Sequence, residues 1–310
     1  MPRAARVHAI RRRGRDGFIV VAVLWLLAAL AALAVTASHY MAQSATALSL
    51  GGTTLQSDLL IDAGLELAAY QLSIPAGGGR PSRGGFRFNL ARAAIDVEFI
   101  AESARINLNL APKALIAGLF VALGTPASAA ERYADRVIGW RSPPRSTGVD
   151  EEDALYASMG YPPRRGAFNT TDELWLVAGL PPALIERTLP FVTVYSEMAE
   201  VNILDAPPEV IAALPGVTPL LLDALITRRD SGPVDPQFLF GMLGEKRAGA
   251  TLNSSNAYRV RVRVAAGRRQ RIAEAAILIS GFGDQNPYRV MSWREIDPAT
   301  GQPAEPGKAR

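Results

Sequence analysis

The chain has 310 residues, 49% hydrophobic and 20% charged, which allows one large or two ordinary domains with a real core and is too apolar for a disordered polymer. It has no cysteine, so disulfides and thiolate chemistry are excluded. The formal net charge of +4 is almost wholly N-terminal: residues 1–17 hold six arginines against one acid, and the remainder balances 27 basic against 28 acidic residues. The bulk of the chain therefore lacks the basic footprint that phosphate backbones require.

The arginines end at Gly17, and Phe18 to Ala37 are apolar apart from Thr36. As a helix, twenty residues at about 1.5 Å each reach roughly 30 Å, one bilayer core, and arginines ahead of such a run stay cytoplasmic. Three readings fit. A secretory signal could be cut after Ala32-Leu33-Ala34, the run could remain as a plain anchor, or a cut between Gly17 and Phe18 could remove the arginines and leave the helix as the new N-terminus. The third junction resembles the leader of type IV pilins and pseudopilins, which ends in glycine before a phenylalanine or methionine.

Beyond Ala37, Leu55, Leu59, Ala63 and Leu67 recur every fourth residue, with Tyr70 three further on. That spacing predicts one face of an amphipathic helix packed on a domain, loosened at Gly51-Gly52 and ended by the glycine- and proline-rich stretch from Ser73 to Gly85. Residues 95–110 alternate apolar and polar in two runs, predicting a hairpin turning near Glu102-Ser103. From Ala111 to Pro190 the pattern is helical: "KALIAGLFVALG" with Gly124 as a stop, "ASAAERYADRVIGW", "DEEDALYASMG", and "TTDELWLVAGL" capped by Thr171. "FVTVYS" returns to strand, and helices follow near 207–214, 219–229 and 236–243. "AYRVRVRVAA" and "RRQRIAEAAILIS" predict a hairpin around Gly267, with Arg259, Arg261 and Arg263 on a solvated face, and "YRVMSWREI" a last strand. Strands bracketing a helical block predict an α+β fold.

Two segments echo each other: Arg105-Ile-Asn-Leu-Asn-Leu-Ala-Pro112 and Glu200-Val-Asn-Ile-Leu-Asp-Ala-Pro207. Each joins a short strand to a helix opened by proline, and the amides of Asn107, Asn109 and Asn202 suit backbone bonding at such a corner.

The Gly17-Phe18 junction, "DAGLELAAY", "RINLN", "DRVIGW", "DALY", "FNTTDELWLVAGL", "FVTVYS" and "VNILDAPPEVIAALPGV" occur in an order that resembles the K-type minor pseudopilin of the bacterial type II secretion system, also called general secretion pathway protein K. The resemblance implies a pilin-like long helix packed on an antiparallel sheet with an inserted helical domain. The implied organisation is a leader 1–17, a transmembrane segment 18–37, a pilin-like part 38–110, a helical insertion 111–190, a return 191–296 carrying a second helical segment 207–243, and a tail 297–310. It further implies cleavage between Gly17 and Phe18 by a prepilin peptidase, N-methylation of Phe18, an inner-membrane anchor among lipid, and a periplasmic soluble domain. Implied partners are the I- and J-type minor pseudopilins, at a fibre tip where assembly starts. Major pilins carry glutamate at the fifth position of the mature helix, where this chain has Ala22. A carboxylate at membrane depth is costly unless paired, and a subunit with none ahead of it needs no such group. The assembly surface implied is the helix with Ala22, Leu55, Leu59, Ala63 and Leu67.

No cofactor is required by this reading. The resemblance implies an Asp-x-Asp pair soon after the tryptophan of "DRVIGW" and a family in which calcium can be bound, but Trp140 is followed here by "RSPPRSTGV". Asp150, Glu151, Glu152 and Asp153 are oxygen donors of the type calcium takes, but the plainer reading, which is preferred, is a solvated acidic helix start favoured by the dipole. The alternative function is a membrane-anchored helix-hairpin-helix DNA-binding protein, from "LPGVTPLLLDALITRR", although Thr218 stands where a second glycine is expected. Enzyme chemistry is disfavoured. The only histidines are His8 and His39, and no G-x-S-x-G, P-loop or G-x-G-x-x-G occurs.

Overall fold

The structure is a computed structural model describing residues 16–74, 80–144, 151–232, 235–244, 248–267, 269–280 and 286–300. In the first helix, α1 (Asp16–Ser73), side chains are described for 21–36, 38 and 55–73; that of Glu151 is not. Most of the expected leader and most of the expected tail lie outside the described residues. The chain forms two compact units, 1–59 and 60–310.

In the first unit, the described side chains of 21–36, Ala22 among them, are all exposed, as are Leu55 and Leu59. Among the described residues no helix is long and apolar enough to cross a membrane; the apolar run 18–37 extends beyond the side chains described. The helix runs on through Gly51-Gly52, where a loosening was expected.

The second unit contains a five-stranded antiparallel sheet in the order β1-β2-β7-β8-β9. These strands are β1 (Arg83–Leu90), β2 (Ala93–Ala101), β7 (Ala257–Ala266), β8 (Arg269–Ile279) and β9 (Tyr288–Ile296). Leu60, Ile61, Leu65, Ala68, Ala69 and Leu72 of α1 are buried with Ile95, Val97, Phe99, Val260, Val262 and Val264 on one face of it. The 60–73 segment thus packs through a row offset from the expected stripe: Ala63 and Leu67 are only half-buried and Tyr70 is exposed. The offset has a steric cause in "DAGLELAAY". A Cβ on Gly64 would sit 2.7 Å from Val262 Cγ1, so the helix approaches the sheet where a glycine leaves room.

The expected hairpin over 95–110 is not formed. β2 pairs instead with β1 and β7, and after Ala101 the chain makes a buried 3-10 turn, Glu102–Ala104. It then leaves the sheet, because Ile106 and Leu108 belong to a different core. β1 was not foreseen, since the stretch expected to end the helix ran to Gly85 and no element was expected before residue 95; Phe86 and Phe88 stack along it with ring centroids 6.1 Å apart.

That second core runs from Ile106 to Ala250 and takes in both helical segments. Its helices are α2 (Lys113–Ala122), α3 (Ala127–Arg141), α4 (Glu151–Ala157), α5 (Pro182–Thr188), α6 (Pro208–Ala212), α7 (Pro219–Asp230) and α8 (Pro236–Gly241). "TTDELWL" forms a 3-10 helix, Thr171–Leu176, preceded by Thr170 with no side-chain cap, and Thr171 is buried instead. Gly124 ends α2 at φ +87° and Gly267 turns β7 into β8 at φ +60°, both as expected. The two ends of the block meet at a buried neck: Ser103 N–H donates to Ser255 Oγ at 3.1 Å and Ser255 N–H to Ser103 Oγ at 3.2 Å.

Candidate functional site

The helical block is one device built twice. In the first copy, β3 (Ile106–Asn107) pairs in parallel with β4 (Val192–Thr193); in the second, β5 (Val201–Asn202) pairs in parallel with β6 (Ala250–Thr251). Each strand ends in the echoed asparagine, whose Oδ1 accepts from the backbone two residues on: Asn109 N–H at 2.8 Å and Leu204 N–H at 2.9 Å. Each asparagine carbonyl accepts from the residue four on, Ala111 and Ala206, at 2.9 Å. Proline then precedes the helix, where its missing N–H costs nothing.

The second helix of each copy ends in an arginine turned back into the corner. Arg141 donates to Leu108 O and, at 2.7 Å, to Ala111 O. Arg229 donates to Ile203 O at 3.4 Å and Ala206 O at 2.6 Å. These are the carbonyls one and four residues past each asparagine. The asparagines therefore serve structure, and sequence inspection missed the arginines because they lie 34 and 27 residues further on. Replacing Arg141 or Arg229 by methionine is expected to cost each about 1.5–3 kcal/mol in urea unfolding, since buried carbonyls lose a charged donor. Equal losses from both arginines are the signature of the repeat; a negligible loss at either would deny it.

Arg229 also bears on the helix-hairpin-helix reading. Gly216 takes φ +77°, but Thr218 Oγ1 accepts from Leu221 N–H at 3.3 Å and Arg229 points inward, so neither is presented to a phosphate.

A second cluster joins the block to the outer face of the sheet. Glu102 is completely buried, and its carboxylate accepts from Arg259 Nε at 2.8 Å. Arg259 Nη1 lies 3.2 Å from Glu274 Oε1, and Arg261 Nη2 lies 2.8 Å from Glu274 Oε2. Arg259 is therefore not on the solvated face expected of it: the block covers it. Burial pushes the Glu102 carboxyl up, yet the charges of Arg259 and Arg105, with hydrogen bonds from Arg259 and Thr193, hold it below its usual range. Arg294 and Asp172, 3.4 Å apart, add an exposed tie between sheet and block.

The acidic run after Trp140 is engaged by arginine rather than gathered. Glu152 pairs with Arg136 at 2.7 Å and Asp153 with Arg165 at 2.6 Å. Asp150 and the side chain of Glu151 lie outside the described residues. Among the described residues no group of three or more His, Asp or Glu is placed to hold a metal. Trp140 packs at 5.4 Å from Tyr156, centroid to centroid, in the core.

Of the expected assembly residues, Ala22, Leu55 and Leu59 are exposed in the first unit, and Ala63 and Leu67 are half-buried in the second. Gly17 and Phe18 are helical, with side chains outside those described.

A family model described as "Type II secretion system (T2SS), protein K" matches residues 86–197, from within β1 to just past β4. A chain of the crystallised GspK-GspI-GspJ complex from the enterotoxigenic Escherichia coli type 2 secretion system has a similar fold, with a TM-score of 0.60 and 19% identity over 80% of this chain and 99% of that chain. No curated protein matches the sequence. The part similar to the type II secretion system protein K family, residues 86–197, holds the first copy of the repeat and the sheet strand leading into it.

Proposed function

We propose that the chain is a minor pseudopilin of a type II secretion system, a structural subunit rather than an enzyme. The observation that carries the reading is the protein K match lying within a unit whose sheet packs on the end of a long helix, the arrangement a pilin-like subunit needs. A prepilin peptidase cuts between Gly17 and Phe18 and methylates Phe18. The apolar helix 18–37 anchors the subunit in the inner membrane, and the soluble part stands in the periplasm. Its partners are I- and J-type minor pseudopilins, with which it forms the tip that nucleates the fibre. Three features support this: the similar fold in the GspK-GspI-GspJ complex, Ala22 in place of a glutamate, and the exposure of Leu55 and Leu59 on the helix.

Intact-mass and N-terminal analysis of the mature protein tests the processing. A methylated phenylalanine at residue 18 is expected; a retained Met1, or a start between Val35 and Tyr40, would sink the reading. Co-purification with I- and J-type subunits tests the partners. Leu55→Asp with Leu59→Asp is expected to weaken that association at least tenfold, as exposed positions whose change leaves the 60–310 core intact.

A further inference from the structure

The face of the five-stranded sheet on which α1 packs is covered on one side and bare on the other. A Cβ on Gly64 would meet both Val262 of β7 and Val97 of β2, so the helix lies over those two strands. β1 is the neighbour of β2, and its Phe86 and Phe88 are half-buried. β9 lies two strands beyond β7, about 10 Å away at the usual strand spacing. Register places Val290 opposite Ile277 and Trp293 opposite Ala275, both buried in the core that α1 completes. Val290 and Trp293 therefore point to the same face as that core, yet they are 44% and 49% exposed.

The helix side of this bare strip is acidic. Asp62 and Glu66, about one turn apart on α1, are exposed, and Tyr288 Oη donates to Glu66 Oε1 at 2.7 Å. Burial, then the hydrogen bond and charge of Glu66, then the charge of Asp62 push the Tyr288 hydroxyl up to about 12, so both carboxylates stand near the start of β9. At the other end of β9, Arg271 is held by Glu295 at 2.7 Å. The strand edge itself is blunted. Ala276 pairs with Ser292 and Ile277 with Val290, so Met291 is an extra residue in β9, and a bulge of that kind discourages a further strand.

We infer that the bare strip seats one amphipathic helix of a partner subunit, its apolar stripe on Val290 and Trp293 and its lysines or arginines toward Asp62 and Glu66. Helices pack about 8–10 Å apart, so a helix over β9 lies against α1 as well as the sheet and completes the layer that α1 begins. An added strand would extend the edge and leave Trp293 bare, whereas a helix covers it, and a half-exposed tryptophan is the usual anchor of such a contact. That the partner is an I- or J-type minor pseudopilin rests on the function proposed above; the shape and charge of the seat do not.

The test uses the full chain co-expressed with I- and J-type subunits, with the photo-cross-linker benzoylphenylalanine in place of Val290. The expected product is a cross-link to a helical segment of one partner that carries lysine or arginine within a turn of the attached residue. Trp293→Glu is expected to weaken association with that partner about tenfold, with the fold of this exposed variant verified by circular dichroism. Asp62→Asn with Glu66→Gln is expected to weaken it about fivefold and to remove most of its salt dependence. While partners still co-purify, four results overturn the seat and leave the subunit reading standing. They are no cross-link, a cross-link to a strand or loop or to a second copy of this chain, undiminished association of Trp293→Glu, and tighter association of the Asp62 and Glu66 variant. If the unaltered chain recovers neither partner, the subunit reading fails and the seat fails with it.

Discussion

Glu102→Ala is expected to lower the stability of the 60–310 unit by about 3–5 kcal/mol, the usual cost of removing one partner from a buried ion pair. The large effect comes from what remains: Arg259 and Arg105 would keep their charge beneath the helical block with half their compensation gone. Glu102→Leu combined with Arg259→Met should recover most of the loss, because an apolar pair of similar volume does not need the compensation. Chemical unfolding of the single and double variants separates these outcomes. A single-variant loss under about 1 kcal/mol would mean that the charges do not hold block to sheet. The same residues set an acid limit. The folded-state pKa values of Glu102 and Glu274 lie below the ordinary 4.5, so their contribution is fully present above that value. It is lost as pH falls through the lower folded-state values. The midpoint of thermal unfolding should therefore fall steeply only below about pH 4.5, and Glu102→Gln should flatten that fall.

Gly118→Val is expected to be as damaging, at about 3 kcal/mol or more. Gly118 lies on α2 of the first repeat, and a Cβ there would stand 2.1 Å from the carbonyl oxygen of Ala213 and 2.9 Å from its carbonyl carbon, in the second. Backbone atoms of a packed segment cannot swing aside, so the two copies would have to part. Alanine or valine would gain up to about 1 kcal/mol of helix propensity over glycine, and the clash outweighs it. Gly139 on α3 supplies the contrast. Its added Cβ would first meet the Glu152 side chain, at 2.6 Å, which can rotate away, so Gly139→Ala should change stability by less than about 1 kcal/mol. Comparable losses at both glycines would contradict the inferred contact between copies.

Most elements could be read from the sequence where one rule dominated. Helices α2, α3 and α7 show apolar spacing with proline or glycine at their ends, and β7 and β8 alternate around Gly267. The echo of Asn107 and Asn202 identified the two corners, because an asparagine bonding two residues on is a local event. What sequence could not give was partnership across long separations. Ile106 and Leu108 alternate as a sheet strand would, yet they join the helical core. Arg259 alternates with valines as a solvated residue would, yet Glu102, 157 residues away, draws it under cover. The α1 stripe failed differently: periodicity found helix, but the choice between neighbouring faces depended on the room left by Gly64. Strand β1 was missed because Gly84-Gly85 ends a stretch that reads as loop, although Phe86, Phe88 and Leu90 alternate with Arg87 and Asn89.

The serine neck has a kinetic consequence. Ser103 and Ser255 are 152 residues apart in sequence, and β2 can meet β7 only when they come together. Closing so long a flexible loop costs roughly 4–5 kcal/mol of chain entropy. If the block folds first, its own packing brings the serines side by side, and the central pairing of the sheet then joins two short, neighbouring arms. The nascent chain would emerge with β2 paired to β1 but lacking β7 until the second repeat is complete. In the interval, β2 exposes an apolar edge to any extended segment nearby, so rapid closure of the repeats shortens the time in which the subunit can aggregate.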